Sequence, residues 1–427
     1  MNRYPNILGG ILNIEEEDDD QFDTLYDSTR RSEGFSRGRV RRHRGRGSIL
    51  GRRTINRGRV EGHERLYRDY FATPYVYEGF FRRRFRMSRP FFLRIANEVE
   101  QHDTHFIQTI DADGVLGLSS LQKITTAYRI LAYRTSTDFV DEYIRIGENT
   151  AILSLRWFVK TVIAMFSDHY LRPPNNSDIT RLLQIEEQRG FPGMLGNIDC
   201  MHWKWKNCLT AWQGMYTGHC HEPTIILEAV ASQDLWIWHA FFGLPSSLND
   251  INVLDRSPIF ALLANGHAPL VNYTINGHEY TMGYYLADGI YPNWSTFVKT
   301  IPCPQGLKKK YFAKAQESAR KDVERAFRVL QARFAIVREP IRFWDEETLA
   351  DIMKACIIMH NMVIEDEGDI GNNDFDGSDA NPPVEVSHAY TPELEDFMQT
   401  HFQIRDSVTH SQLQSDLIEH LWERHGE

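Results

Sequence analysis

Gly196-Asn-Ile-Asp-Cys-Met-His-Trp203 is the stretch on which the reading of this chain turns. With Met194-Leu195 before it, and Met201, Trp203 and Trp205 along it, apolar side chains alternate as in a strand that needs a sheet to bury it. Asp199 interrupts that pattern. A carboxylate in mid-strand is costly to bury unless a cation stands beside it, which makes a metal ligand one reading. A strand-end acid facing water is the other, and Asp199 taken alone favours it. Its companions further along change the balance.

Downstream, Thr224-Ile-Ile-Leu-Glu-Ala-Val-Ala231 and Leu235-Trp-Ile-Trp-His-Ala-Phe-Phe242 predict two more strands, joined by a tight turn at Ser232-Gln-Asp234. Leu248-Asn-Asp-Ile-Asn-Val-Leu-Asp255 follows, with a helix expected through Phe260-Ala-Leu-Leu263. A strand over Met282-Gly-Tyr-Tyr-Leu-Ala287 then ends on Asp288-Gly-Ile-Tyr-Pro292. The helix predicted over 316–334 carries the stripe Val323, Phe327, Leu330 and Phe334, with Glu324 at its edge. Open α/β sheets place their chemistry where strand ends meet loops, and Asp288 stands at such an end, before a glycine that lets the chain turn. Asp199, Asp288 and Glu324 together form a hard-oxygen set suited to Mg²⁺ or Mn²⁺, as used in two-metal phosphoryl transfer. Asp250 and Asp255 compete for the second place. The strand-end position favours Asp288, and Asp250 reads as a supporting or helix-capping residue.

Upstream the pattern is helical. Ser88 and Pro90 predict the start of a helix through Phe91-Phe-Leu-Arg-Ile-Ala-Asn-Glu-Val99. Leu121, Ile124, Tyr128 and Leu131 share a face of the next helix, a short piece spans Ser136–Ile144, and a longer helix runs from Asn149 to Phe166 before Pro173-Pro174 breaks the chain. Three helices with a short middle one fit a helix-turn-helix-like unit, and equally a bundle that supports the next domain.

The 427 residues carry a net charge of -10, which looks wrong for a nucleic-acid binder until the charges are located. Glu15-Glu-Glu-Asp-Asp-Asp20 precedes a run of arginines between Arg30 and Arg59, interleaved with Gly and Ser. Such a segment buries too little apolar surface to fold alone, so residues 1–65 are expected to be disordered and to serve phosphate contact, nuclear import or both. Five cysteines at irregular spacing, no secretory signal and no run of membrane-spanning length predict a soluble, reduced, intracellular protein with no membrane partner.

The strings Gly196–Trp203, Leu227–Phe242, Asn249-Asp-Ile-Asn-Val-Leu254, Leu286-Ala-Asp-Gly-Ile-Tyr-Pro292 and Ala319-Arg-Lys-Asp-Val-Glu-Arg-Ala-Phe327 resemble the PIF/Harbinger transposase superfamily, in its plant transposase and Harbinger-derived nuclease branch. The resemblance runs from about Phe80 to Glu365 and again over Leu413–Gly426. It implies an α/β, RNase H-like mixed-sheet catalytic domain (190–365); the residue pattern itself places before it the all-α helix-turn-helix-like region (80–172), and after it an acidic linker (366–392) and a C-terminal helical segment (393–427). The resemblance also implies a DDE triad on Asp199, Asp288 and Glu324, a divalent metal, Mg²⁺ or Mn²⁺, and cleavage and strand transfer at the terminal inverted repeats of DNA. A separate Myb-like DNA-binding protein as partner, a nuclear location and a homo-oligomer complete the expectation. All three acids are present, although domesticated relatives that act as non-catalytic nuclear binding proteins often lose one. Gly243-Leu-Pro-Ser-Ser-Leu-Asn249 departs from the more Gly-rich turn usual in the family.

Other clusters weigh less. Cys200, His202, Cys208, His219, Cys220 and His221 are too irregularly spaced for a zinc site. Lys204, Lys206 and Lys308-Lys-Lys310 are expected near the acids as phosphate contacts or as a solvated face, and Arg320, Arg325 and Arg328 as partners of acids on their own helix. From Ser407, Val408, Leu413, Leu417, Leu421 and Trp422 are expected near one helical face that docks on the body or on a partner.

Overall fold

The computed structural model describes residues 55–427 except 111–113, 219–220, 249, 255, 259–269, 372–403 and 426–427. The acidic run and most of the Arg-rich stretch, the helix expected at 260–263, Asp255, His219, Cys220 and nearly all of the expected linker lie outside the described residues. Arg57–Glu427 forms one compact unit.

Helix α1 (Arg59–Tyr70) begins inside the span expected to be a tail, because Leu66 and Tyr70 bury against the helices that follow. After α2 (Phe81–Phe85), α3 (Arg89–His102) starts as the sequence predicts: the Ser88 side chain accepts from the Phe91 amide, with Pro90 in the first turn. A capping box of Ser119 and Gln122 opens α4 (Ser120–Tyr133). The buried Gln122 amide donates to the carbonyls of Arg59 and Ile144 at 3.0 and 2.9 Å, tying α1 and α4 to the end of α5 (Thr137–Ile144). Helix α6 (Glu148–Tyr170) is long and apolar enough to cross a membrane by length and composition, which corrects the reading that no run reaches that length. Its Leu155, Phe158, Val159 and Val162 pack in the core. Helix α7 (Asn176–Gln188), hidden from the sequence reading by the prolines before it, opens on a capping box of Asn175 and Asp178.

The α/β region then runs β1 (Met194–Lys204), α8 (Thr210–Tyr216), β2 (Thr224–Ala231), β3 (Ile237–Pro245), α9 (Asp250–Leu254), β4 (Leu270–Ile275), β5 (His278–Met282), β6 (Tyr284–Ala287) and β7 (Phe297–Lys299). The main sheet has the order β3-β2-β1-β6-β7, antiparallel across β1, β2 and β3 and parallel across β1, β6 and β7. Strands β4 and β5 pair apart from it. The single strand expected over 282–287 is therefore two, in different sheets. Gly283 separates them where a Cβ would come within 2.5 Å of Leu195.

Helices α10 (Leu307–Arg333), α11 (Ala335–Arg338), α12 (Glu346–Gly371) and α13 (Ser407–His425) complete the chain. Because α12 continues to Gly371, the first residues of the expected linker are helical. In α13, Leu413, Leu417 and Leu421 are buried while Val408 is 76 % exposed. The stripe continued backwards by three residues reaches the buried His410, so Val408 points outward.

The sheet face of Met201, Trp203, Leu227 and Ala229 packs with α10, α12 and the helical region in one continuous core. Each fully buried Phe or Leu there contributes about 1.5–3 kcal/mol. The opposite face, with Ile198, Val230, Tyr285 and Ala287, packs on Ile179 of α7, Leu254 of α9 and Val271 of β4. The helical and α/β regions thus share a core.

Two buried polar residues of α12 lock this arrangement. Asn361 accepts from the Ile237 amide at 2.9 Å and donates to the carbonyls of Ile237 and Tyr170 at 2.8 and 2.7 Å, clamping the start of β3 to the end of α6. Asn361→Leu leaves three buried backbone groups unsatisfied, and denaturant titration should show a loss of about 3 kcal/mol. His360 Nδ1 receives the Arg333 guanidinium at 3.0 Å, which makes Nε2 the donor to the Leu235 carbonyl at 2.9 Å. Burial, aided by Arg333, pushes the His360 imidazole down to about 3 from 6.5. The folded state keeps it neutral while the unfolded chain protonates, so its contribution is complete above about pH 6.5 and falls away towards pH 3. His360→Gln should be less stable at pH 7, with the gap to wild type narrowing steadily as thermal midpoints are followed down to pH 4.

Candidate active site

Glycine at position 196 lets β1 enter the sheet beside β6. At φ 153° it forms a bulge against β6, and a Cβ there would stand 3.0 Å from the Ala231 carbonyl. Past the bulge, Asn197 pairs in parallel register with Leu286. Two residues further on stand Asp199, still within β1, and Asp288, the first residue past the end of β6. Leu286 lies under α10, packing with Phe312 and Ala319.

The helix is set on the sheet by Gln316. Its buried amide donates to the carbonyls of Ala287 and Val298, each at 3.2 Å, pinning α10 to the last residues of β6 and to β7. One turn on is Arg320, and one turn beyond that Glu324. The Arg320 guanidinium, with 10 % of its side chain exposed, stands 3.4 Å from Asp199 Oδ2, 3.1 Å from Glu324 Oε1 and 3.0 Å from Glu317 Oε1. Its hydrogen bond to Glu317 holds that carboxyl below the usual range. Asp199 Oδ1 also accepts from the Cys200 amide at 2.8 Å, and Glu324 Oε2 lies 3.4 Å from Arg328.

Asp288 is exposed and accepts from the Gly289 amide at 2.5 Å, starting a turn closed by the Tyr291 amide on the Asp288 carbonyl. Lys299 Nζ, half-buried in β7, donates to the Tyr291 carbonyl at 2.8 Å and holds the turn against the sheet; burial lowers its ammonium below the ordinary lysine value. No sequence pattern marks Lys299 or Gln316, since each acts through contacts across the sheet.

The remaining expected residues are placed elsewhere. Asp250 opens α9, and its side chain lies outside the described residues. Cys200 and His202 alternate with Asp199 and face away from α10; Cys200 Sγ lies 3.7 Å from the Tyr291 hydroxyl and His202 Nδ1 3.3 Å from Thr224. Lys308 pairs with Glu419 of α13, roughly 24 Å along the helix from Glu324, and Lys204, paired with Glu222 at 2.5 Å, sits about 17 Å along β1 from Asp199. The lysines expected around the acids are thus spread too far to share one phosphate with them. Asp322, in the same motif as Glu324, is buried against Arg189 at 2.8 Å; that arginine also pairs with Glu186, whose carboxyl burial pushes up to about 7. Glu228, fully buried on the face away from α10, lies 3.4 Å from His239 Nε2. Among the described residues no group of three or more His, Cys, Asp or Glu side chains is gathered closely enough to hold a metal ion. Asp199 and Glu324 converge on Arg320 instead.

Residues 168–371 match the family described as plant transposon protein, and residues 62–100 match a domain of unknown function. The chain is 22 % identical over 259 residues to Protein ALP1-like of Arabidopsis thaliana, an alignment that takes in 58 % of this chain and 62 % of that relative. No solved structure matches. The family match begins at residue 168, so it takes in α7, the sheet and α10 to α12 but leaves out nearly all of the helical region that the resemblance had included. Residues 168–371, which hold every motif from Gly196 to Phe327, are thus similar to the plant transposon protein family, in keeping with the Harbinger-type lineage that those motifs imply.

Proposed function

We propose that this protein is a metal-dependent DNA endonuclease of the transposase type, with Asp199, Asp288 and Glu324 as its DDE acids. One observation carries the reading: Asp199 of β1 and Glu324 of α10 meet at Arg320, and Asp288 stands just past the end of β6, the parallel neighbour of β1. The sheet order, three antiparallel strands continued by two parallel to the first, supports an RNase H-like catalytic fold.

The donor set fits Mg²⁺ or Mn²⁺, being all carboxylate oxygen, partly open to solvent and drawn from two strands and a helix. Asp199, Asp288 and Glu324 would hold the cation, which when bound supplies Lewis acidity towards a phosphodiester. The chain's own contribution is positional. Gln316 sets the helix height, Lys299 holds the Asp288 turn, and Arg320 keeps Asp199 and Glu324 facing one point. DNA with terminal inverted repeats is the substrate this lineage suggests, with a Myb-like protein as its DNA-reading partner, a nuclear site of action and a homo-oligomeric assembly. The arginines between 30 and 59 suit phosphate contact or import into that compartment.

A domesticated, non-catalytic nuclear binding protein is the second reading. The specific observation on its side is the guanidinium lying among the acids where a metal would be needed.

Nicking of DNA carrying the element's terminal repeats, in Mg²⁺ or Mn²⁺ with the Myb-like protein added, separates the two. Wild type should cut, and Asp288→Asn should lose at least about a thousandfold in rate with its thermal midpoint within a few degrees of wild type. Full activity in that variant would sink the assignment of Asp288.

A further inference from the structure

The Arg320 guanidinium is buried at the point where two of the three acids converge, and it is held there by carboxylates from two elements. Glu317 and Glu324 flank it on α10, one turn to either side, and Asp199 reaches it from β1. Surface arginines on helices usually pair along their own helix, as Arg328 does with Glu324. Arg320 does more, because its planar fork spans from the helix to the sheet. Carboxylates this close repel one another, and in a partly buried site the repulsion is poorly screened. Without a cation between them Asp199 and Glu324 would turn apart.

We propose that Arg320 is a resident counter-cation of the acid cluster: it holds Asp199 and Glu324 in place while the site is metal-free, and a divalent cation must displace it to bind. The inference rests on the metal-dependent reading of the same acids. Arg320 is here a positioning residue, competing with the metal for the carboxylate oxygens and never touching the reacting phosphate. Glu317, with 37 % of its side chain exposed and bonded to both Nη2 and Nε, supplies the alternative seat to which the guanidinium can swing. A cluster built this way stays folded at low metal and loads only when metal is present in excess. Lys321, 3.8 Å from Glu317, and Arg328, 3.4 Å from Glu324, are exposed and lie on the outer side of the cluster, so among the described residues Arg320 is the one buried cation at these carboxylates.

The test is calorimetric titration of the full-length chain with MnCl₂, paired with thermal midpoints measured without metal. The specific isotherm is the one that Asp199→Asn removes. Arg320→Gln should bind Mn²⁺ at least about tenfold tighter than wild type, have a lower metal-free midpoint, and regain most of that loss when Mn²⁺ is added. Should the glutamine variant fail to fold, Arg320→Lys serves instead. Its point charge cannot bridge both acids at once, so it too should bind Mn²⁺ tighter than wild type. Equal or weaker Mn²⁺ binding in these variants, with the wild-type isotherm intact, overturns the competing role and leaves the metal site standing. No specific isotherm in wild type or variant overturns both.

Discussion

The buried amide of Gln316 decides what the acids can do. By donating to the carbonyls of Ala287 and Val298 it fixes the longest helix of the described chain over the end of the parallel strands, and everything in the candidate site is measured from that contact. A helix shifted by one residue would turn Arg320 by about 100° and carry it off Asp199. The bulge at Gly196 has a matching effect from the sheet side, because it sets the register of Asn197 against Leu286, two residues short of Asp199 and Asp288. Backbone geometry thus places Asp199 under the helix that carries Arg320 and Glu324, with Asp288 at the end of the neighbouring strand. The cation then found nearest them is the chain's own.

Much of this was legible in the sequence where periodicity and burial agree. Strands β1, β2 and β3 follow alternation or an unbroken apolar run, the caps at Ser88 and Ser119 mark two helix starts, and the Val323, Phe327, Leu330 stripe marks the buried face of α10. The Asp288-Gly turn at the end of β6 is also where it was expected. What was missed has physical reasons. Strands β4 and β5 alternate polar with apolar residues too weakly to read, and β7 is three residues long, so its pairing with β6 defines it and no pattern of its own does. Helix α1 is rich in charge and takes its order from a few contacts with later helices, the burial of Leu66 and Tyr70 and the Gln122 bond to Arg59 among them. Arg320 was legible as a partner of its neighbours on the helix but not of Asp199, since a contact across 121 positions leaves no local pattern.

The two faces of the sheet are differently used. Under α10 the apolar core is interrupted by the acids and Arg320, whereas the far face holds Glu228 and His239 among apolar side chains, well away from them. The helical region is fused to the first of these faces through Trp203, Phe334 and α12. Asn361 and His360, on a helix that carries no acid of the candidate site, stand at the joint between the two regions.

The central claim is that Asp199, Asp288 and Glu324 share one divalent cation. Anomalous diffraction from crystals of the full chain soaked in Mn²⁺ tests it most directly. A manganese peak is expected within bonding distance of oxygens from all three side chains, with the Arg320 guanidinium moved off Asp199 towards Glu317. Crystals that take up no manganese there, with Arg320 still bridging Asp199 and Glu324 at high Mn²⁺, would contradict it.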